Sequence, residues 1–199
     1  MLLCDIGNTS YHFLKDDFDY KEDVKVFNPS DVKGLVYYIC VNTEIKKILL
    51  KLNNWIDISK KIDKTAYYET MGIDRIIICE SIQDGVIIDA GSAVTVDIVN
   101  NGVFEGGFIY PGIKAMSDTY KNISSALNYE FNFDLNLESL PKNSRDSISY
   151  AYLKLIYTEV ISLNKAIYLT GGDSLKFSKI FKNAKIDKNL IFRAMLKYI

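Results

Sequence analysis

The same short pattern occurs twice in the sequence, 84 positions apart, and it constrains the fold more than any other feature. At Asp5 the letters DIGNTS follow an apolar run, and at Asp89 the letters DAGSAVT follow the run at 86–88. Each pattern places Asp-x-Gly and small polar residues at the end of one predicted strand and before another, at 11–14 and at 94–99. The repeat therefore predicts two halves of similar design.

The segments that follow the two turns support this division. In the first half we predict strands and a helix, in the order strand 24–27, strand 35–41, helix 44–52 and strand 55–58. In the second half the predicted order is strand 103–109, helix 145–163, strand 166–170 and helix 174–181. A helical pattern at 74–81 marks a hinge between the halves, and residues 188–199 form an amphipathic helix that we expect to fold back on the first half.

Composition limits the class of protein. The 199 residues are 48% hydrophobic, which suffices for two small domains with real cores. No apolar run approaches the roughly 20 residues of a membrane span, and 24 basic against 25 acidic side chains argue against binding to nucleic acid or to a membrane surface. The three cysteines lack metal or disulfide spacing, so we expect them in the core of a cytoplasmic protein.

The predicted fold class is α/β, with two lobes of mixed sheet facing each other across a cleft. The first lobe covers residues 1–84 and includes the hinge helix, the second covers 85–187, and the C-terminal helix covers 188–199.

The two Asp-x-Gly turns have the chemistry of phosphate sites. Glycine lets a phosphate approach the main chain, consecutive N–H groups surround it, and Asn8 and Thr9 add donors. Asp5 and Asp89 end their strands, where a carboxylate can hold Mg²⁺ directly or through water. A single turn of this kind is most often an ordinary turn, whereas two matched turns favour a clamp for a polyphosphate.

Two further stretches have the pattern of ligand contacts. The letters TGGD at Thr170 follow a predicted strand and precede a helical run, a geometry that brings the main chain close to a ligand. The letters GGFIYPG at Gly106 place glycines inside a strand, which marks either close approach by a ligand or a bulge.

The pair Asp74-Arg75 stands at the predicted lobe junction. Only three of the 24 basic residues are arginine, so the forked guanidinium of Arg75 suggests bidentate binding of a carboxylate or phosphate. Asp74 can accept the proton of a substrate hydroxyl. The alternative at this point is a helix-start aspartate beside a surface arginine.

Five motifs, DIGNT, GIDR, DAGSAVTVD, GGFIYPG and TGGD, resemble in content and order those of type III pantothenate kinases. That family belongs to the superfamily of acetate and sugar kinases, Hsp70 and actin, whose lobes are ribonuclease-H-like. The resemblance implies the actin-like ATPase fold, a homodimer, and ATP-dependent phosphorylation of pantothenate to 4′-phosphopantothenate, the first step of coenzyme A synthesis. It also implies Mg²⁺ and a monovalent cation, K⁺ or NH₄⁺.

The resemblance also implies a role for each motif residue. Asp74 is the implied general base. The implied ATP and phosphate contacts are Asp5, Gly7, Asn8, Thr9, Gly91, Ser92, Thr95, Thr170, Gly171 and Gly172. The implied pantothenate contacts are Tyr68, Gly72, Ile73, Asp74, Arg75, Gly107 and Ser144, the last reaching a neighbouring subunit's pocket. Asp5 is the implied Mg²⁺ ligand, and Asp89 the ligand of the monovalent cation or of Mg²⁺.

Three other functions stay open on the sequence alone. One is a kinase of the same superfamily for another small alcohol, and another is a non-catalytic regulatory or accessory protein of the same fold. The third is a nuclease that uses Asp5, Asp89 and Asp97, which the balanced charge and the TGGD motif disfavour.

Overall fold

Two five-stranded sheets with the same strand order form the framework of the chain. The computed structural model describes every residue from Met1 to Ile199. One compact unit comprises Met1–Ser81 with Asn189–Ile199, and the other comprises Ile82–Lys188. None of the helices combines the length and the apolar character needed to cross a membrane.

The first unit carries the sheet β3-β2-β1-β4-β5. Its strands are β1 (Leu2–Ile6), β2 (Ser10–Lys15), β3 (Phe18–Asp23), β4 (Val36–Cys40) and β5 (Trp55–Asp57). Its first two helices are α1 (Thr43–Leu49) and α2 (Ile73–Cys79). β1 pairs antiparallel with β2 and parallel with β4. The carboxyl ends of β1 and β4 therefore lie next to each other.

The second unit carries the sheet β10-β9-β6-β7-β8. Its strands are β6 (Gly85–Ala90), β7 (Ala93–Asn100), β8 (Val103–Pro111), β9 (Ile167–Thr170) and β10 (Lys185–Ile186). Its helices are α3 (Ile113–Ile123), α4 (Ser144–Ser162) and α5 (Ser174–Phe177). β6 pairs antiparallel with β7 and parallel with β9, as β1 does with β2 and β4, so the internal repeat is confirmed at the level of topology.

The last helix, α6 (Leu190–Met195), belongs to the first unit. It packs against α2 and β1, and Phe192 and Met195 on it are fully buried. Apolar residues at neighbouring turns of one short helix give a continuous face that needs a partner. The chain therefore closes the first unit with residues that lie far from it in sequence.

One predicted strand was wrong. Residues 24–27 form a turn in which the N–H of Phe27 donates to the carbonyl of Asp23. The strand that follows β2 is β3, which ends at Asp23, before the predicted segment begins. Asp16 and Asp17 both have positive φ, 47° and 68°, which is the geometry of a tight hairpin turn. The two aspartates were not recognised as a turn because asparagine or glycine usually occupies such positions.

Other element bounds also differ from the prediction. The helix predicted at 174–181 is only four residues long, and the helix at 188–199 is α6 followed by a 3-10 turn at Leu196–Tyr198. Helix α3 and strand β10 were not predicted. Only Ile113 of α3 is buried, but Met116, Tyr120 and Ile123 continue the helical spacing, so the sequence prediction overlooked a recognisable pattern.

Leucines 49 and 50 offer a matched test of the first core. Leu49 is fully buried whereas its neighbour Leu50 is 60% exposed. We expect Leu49→Ala to lower the free energy of unfolding by about 2–5 kcal/mol, because it leaves a cavity. The control Leu50→Ala should cost no more than about 0.5 kcal/mol. Urea denaturation of both variants measures the difference, and equal losses would contradict the placement of α1.

Candidate active site

The first glycine turn joins β1 to β2. The N–H of Gly7 donates to the carbonyl of Ser10 at 3.0 Å, which closes the turn and leaves Asn8 and Thr9 exposed at its tip. Asp5 lies one residue before the end of β1, is half-buried, and stands opposite His12 on β2. The turn therefore presents exposed donors next to a fixed carboxylate.

The second glycine turn repeats this arrangement between β6 and β7. The N–H of Gly91 donates to the carbonyl of Ala93 at 2.9 Å, and Ser92 is exposed at the tip. Asp89 stands opposite Thr95 in the β6–β7 ladder. The hydroxyl oxygen of Thr95 is buried and makes no hydrogen bond, so a polar atom without a partner lies on the strand facing Asp89.

The TGGD segment is packed against this second turn. Thr170 pairs with Asp89 in the parallel ladder, and the N–H of Asp173 donates to the carbonyl of Ala90 at 2.9 Å. Gly171 has a φ of +85°, and a β-carbon there would meet the Asp89 carboxylate and the Ala90 carbonyl. Only glycine satisfies both the left-handed backbone and the close approach. Thr170, Gly171, Asp89 and the second turn thus form one cluster.

The end of β8 also reaches this turn, whereas its middle does not. The N–H of Gly112 donates to the carbonyl of Ser92 at 3.1 Å, and a β-carbon on Gly112 would meet the main chain of that turn. Gly107 lies five positions earlier in β8, exposed on this edge strand and paired with Asp97. Ser144 is the exposed first residue of α4. Of the GGFIYPG motif, Gly112 donates a hydrogen bond to the turn and Pro111 pairs with Ala93 at its end.

Helix α2 holds the GIDR motif at its start. Gly72 is the N-cap, close to Val41 just beyond β4, and a β-carbon on Gly72 would meet the Asp74 carboxylate. Asp74 is half-buried and accepts a hydrogen bond from the Arg75 N–H at 2.8 Å. Burial is the main cause that raises the pKa of Asp74, opposed by that hydrogen bond and by the Arg75 charge. Gly72 thus leaves room for a carboxylate with elevated proton affinity.

Arg75 is not the surface arginine of the alternative interpretation. It is only 6% exposed, its guanidinium donates to the Tyr68 hydroxyl, and its charge lies 5.8 Å from the centre of the Tyr68 ring. Tyr68 itself is 47% exposed, whereas Ile73 is buried in the core. The structure therefore brings Tyr68, Gly72, Asp74 and Arg75 together around the start of α2.

The predicted metal ligands are carboxylates on two different strands. No group of three or more His, Cys, Asp or Glu side chains could by itself hold a metal ion. Mg²⁺ usually takes one or two carboxylates and fills its shell with water and substrate phosphates. Asp5 and Asp89, each beside a glycine turn, and the unpartnered hydroxyl of Thr95 fit that chemistry of oxygen donors.

Comparison with known proteins gives the family. Residues 42–163 match the sequence model described as type III pantothenate kinase, and that span covers more than half of the chain. The chain belongs to the type III pantothenate kinase family. A type III pantothenate kinase of Sulfurimonas denitrificans is 60% identical over 195 residues, which cover 98% of this chain and 95% of that relative. One from Campylobacter jejuni is 40% identical over 100% of this chain and 96% of its own length.

Solved structures agree on the fold. A Campylobacter jejuni crystal structure, described as a conserved member of a Baf family of transcriptional activators, is 39% identical with a TM-score of 0.91 over 100% of this chain and 97% of that one. Component A of Acidaminococcus fermentans (R)-2-hydroxyglutaryl-CoA dehydratase gives a TM-score of 0.51 at 13% identity, over 99% of this chain and 95% of that one. The α/β fold with two mixed sheets is that of the actin-like ATPases, as predicted.

Two contacts near the site had no clear signal in the sequence. The Tyr152 hydroxyl of α4 donates to the Pro111 carbonyl at the end of β8. The Tyr67 hydroxyl donates to the Glu80 carboxylate at the end of α2. The aromatic pair at 67–68 was noticeable in the sequence, but nothing near Glu80 indicated its partner.

Gly171→Ala tests the packing of the TGGD segment on the second turn. We expect a loss of at least about 2 kcal/mol in the free energy of unfolding, because the substitution combines a left-handed backbone with overlap against main-chain atoms. Gly91→Ala is the control, since a β-carbon there would meet its nearest neighbour at an ordinary 3.7 Å. Denaturant titration compares the two, and a Gly171→Ala variant as stable as the control would refute the close approach.

Proposed function

We propose that this chain transfers the γ-phosphoryl group of ATP to the primary hydroxyl of pantothenate, giving ADP and 4′-phosphopantothenate, the first step of coenzyme A synthesis. The observation that carries the proposal is the full-length similarity to a type III pantothenate kinase, at 60% identity. The half-buried carboxylate of Asp74, held at the start of α2 with a raised pKa, supports the same reaction.

In the proposed reaction the substrate hydroxyl oxygen forms a bond to the γ-phosphorus, and the bond from that phosphorus to the bridging oxygen of ADP breaks. The hydroxyl proton passes to the Asp74 carboxylate. The raised pKa makes Asp74 a better proton acceptor than an ordinary aspartate. Phosphoryl transfer of this kind depends on positioning and on charge neutralisation, so the enzyme needs no covalent intermediate.

The two glycine turns are the proposed phosphate sites. Gly7, Asn8 and Thr9 supply donors in the first unit, and Gly91, Ser92 and Thr95 supply them in the second. Thr170, Gly171 and Gly172 are proposed to contact ATP. Mg²⁺ would be held by Asp5, and either Mg²⁺ or a monovalent cation, K⁺ or NH₄⁺, by Asp89. When bound, Mg²⁺ neutralises phosphate charge that would otherwise oppose transfer.

The remaining motif residues are proposed to bind pantothenate. Arg75 has the forked donors that a carboxylate requires, and Tyr68 already accepts one of its N–H groups. Gly72 and Ile73 fix the start of α2, which carries Asp74. Gly107 and Ser144 are the further proposed contacts, Ser144 through a neighbouring copy in a homodimer.

The proposed lobes keep the boundaries 1–84 and 85–187, with residues 188–199 joining the first. We propose the cytoplasm as the site of action, since ATP is the substrate and the three cysteines are buried and form no disulfide.

The first test is ADP release by the purified chain with ATP, Mg²⁺ and K⁺. We expect release to depend on pantothenate, and to fall when K⁺ is replaced by Na⁺. Glucose and glycerol are the comparison alcohols. Equal or faster ADP release with either of them would contradict pantothenate as the substrate and would favour a kinase for another alcohol.

Asp74→Asn separates an enzyme from an accessory protein. We expect kcat to fall by at least about 100-fold, in line with the loss of a general base, while ATP binding measured by calorimetry is retained.

Folding raises the pKa of Asp74, so the ionised carboxylate destabilises the fold above that pKa and protonation removes the cost as the pH falls. The variant should therefore keep or raise the melting temperature at neutral pH. In the wild type, kcat should fall as the pH decreases, and the midpoint of this fall should lie above the pKa of an ordinary aspartate.

Asp118→Asn, on exposed α3, is the matched control and should leave kcat unchanged. An Asp74→Asn variant with wild-type turnover would show that another group accepts the proton.

A further inference from the structure

Two consecutive tyrosines tie the segment before α2 to two different points of that helix. The Tyr67 hydroxyl donates to Oε1 of Glu80, the C-cap of α2, at 2.7 Å. The Tyr68 hydroxyl accepts from the Arg75 guanidinium, on the first turn of the same helix. The two contact points are five residues apart, on the first turn and at the C-cap of α2, so the hydroxyls of the two tyrosines bind near both ends of the helix.

The segment that carries the two tyrosines has no regular secondary structure. Residues 64–72 form turns, with backbone hydrogen bonds from Tyr67 to Lys64 and from Met71 to Tyr68, both at 3.0 Å. Apart from Met71, which is buried, the residues around the tyrosines are mostly exposed. Exposed turns open more easily than helices and strands, so side-chain hydrogen bonds such as those of the two tyrosines help to hold such a segment in place.

Glu80 is a suitable fixed point for the Tyr67 anchor. Its carbonyl accepts a hydrogen bond from Lys197 at 3.3 Å, and Lys61 donates to the carbonyl of Tyr198 at 2.8 Å. The end of α2 is thereby joined to the C-terminal residues that pack in the same unit. Burial, followed by the bond to Glu80, raises the pKa of the Tyr67 phenol, so this hydroxyl stays protonated and remains a donor.

We infer that Tyr67 is a positioning residue for the acceptor substrate: its hydrogen bond to Glu80 holds Tyr68 against Arg75 and so presets the guanidinium that binds the substrate carboxylate. The inference rests on the proposed function for the role of Arg75. It assigns Tyr67 no contact with substrate, and it requires Tyr67 to act through its neighbour.

The experiment compares Tyr67→Phe with wild type in pantothenate-dependent ADP release. We expect the KM for pantothenate to rise about 3- to 10-fold, as for the loss of one net hydrogen bond, with kcat and the KM for ATP within about 2-fold. A merely structural role would lower the melting temperature and would change both KM values together. Tyr37→Phe, on β4 of the same unit, is the matched control and should leave both KM values unchanged.

Variants of Glu80 separate hydrogen bonding from charge. Glu80→Gln keeps an oxygen that can accept a hydrogen bond from the Tyr67 hydroxyl, so its KM for pantothenate should stay close to that of the wild type. Glu80→Ala removes the acceptor, so its KM for pantothenate should rise as much as that of Tyr67→Phe. The double variant Tyr67→Phe/Tyr68→Phe should raise the KM no further than Tyr68→Phe alone, because Tyr67 acts through Tyr68.

Hydrogen exchange provides a readout that needs no substrate. Amides of residues 64–72 should exchange faster in Tyr67→Phe than in wild type or in Tyr37→Phe. Unchanged exchange overturns the inference whatever the substrate proves to be, and so does a wild-type pantothenate KM in Tyr67→Phe. Absence of pantothenate-dependent ADP release from the wild type would instead overturn the proposed function. Faster exchange in Tyr67→Phe would then still show that Tyr67 holds residues 64–72 in place.

Discussion

The glycine turn of the second unit depends on main chain lying directly against main chain where β6 and β9 end. Gly171 packs on the carbonyl of Ala90 and on the carboxylate of Asp89, and Gly112 packs on the main chain of Gly91 and Ser92 in the same turn. No side chain beyond hydrogen fits at either place. The parallel pairing of β6 with β9 sets this contact, because it brings Thr170 level with Asp89. A turn that packs closely against both glycines keeps its N–H groups fixed before any ligand arrives.

The start of α2 holds a partly buried carboxylate on a short helix. Asp74 is kept half-buried, which raises its pKa and disfavours its charged form, yet that charged form is the one that accepts a proton. The helix that carries it has only seven residues, and its N-cap Gly72 offers no side-chain hydrogen bond. Isolated helices of this length are unstable in water, so packing must hold it. Contact with α6 supplies part of that packing.

The sequence predicted most of the fold, because the two Asp-x-Gly turns and their β-branched strands are local signals. It predicted the sheet that contains β6, β7 and β8, and the long helix α4, to within about two residues. It missed α3, although the apolar residues of this helix have helical spacing, and it misplaced β3, whose hairpin turn uses two aspartates. Among the site residues, the burial of Arg75 and the bond from Tyr67 to Glu80 depend on tertiary contacts, which local patterns do not carry.

The discontinuous first unit has a consequence for synthesis on the ribosome. Residues 82–188 form the second unit without interruption, so every residue of this unit is made before Asn189–Ile199. The first unit, although begun earlier, waits for Asn189–Ile199 before α2 and β1 are covered. The helix that bears Asp74 is thus covered by α6 only after residues 189–199 have been made.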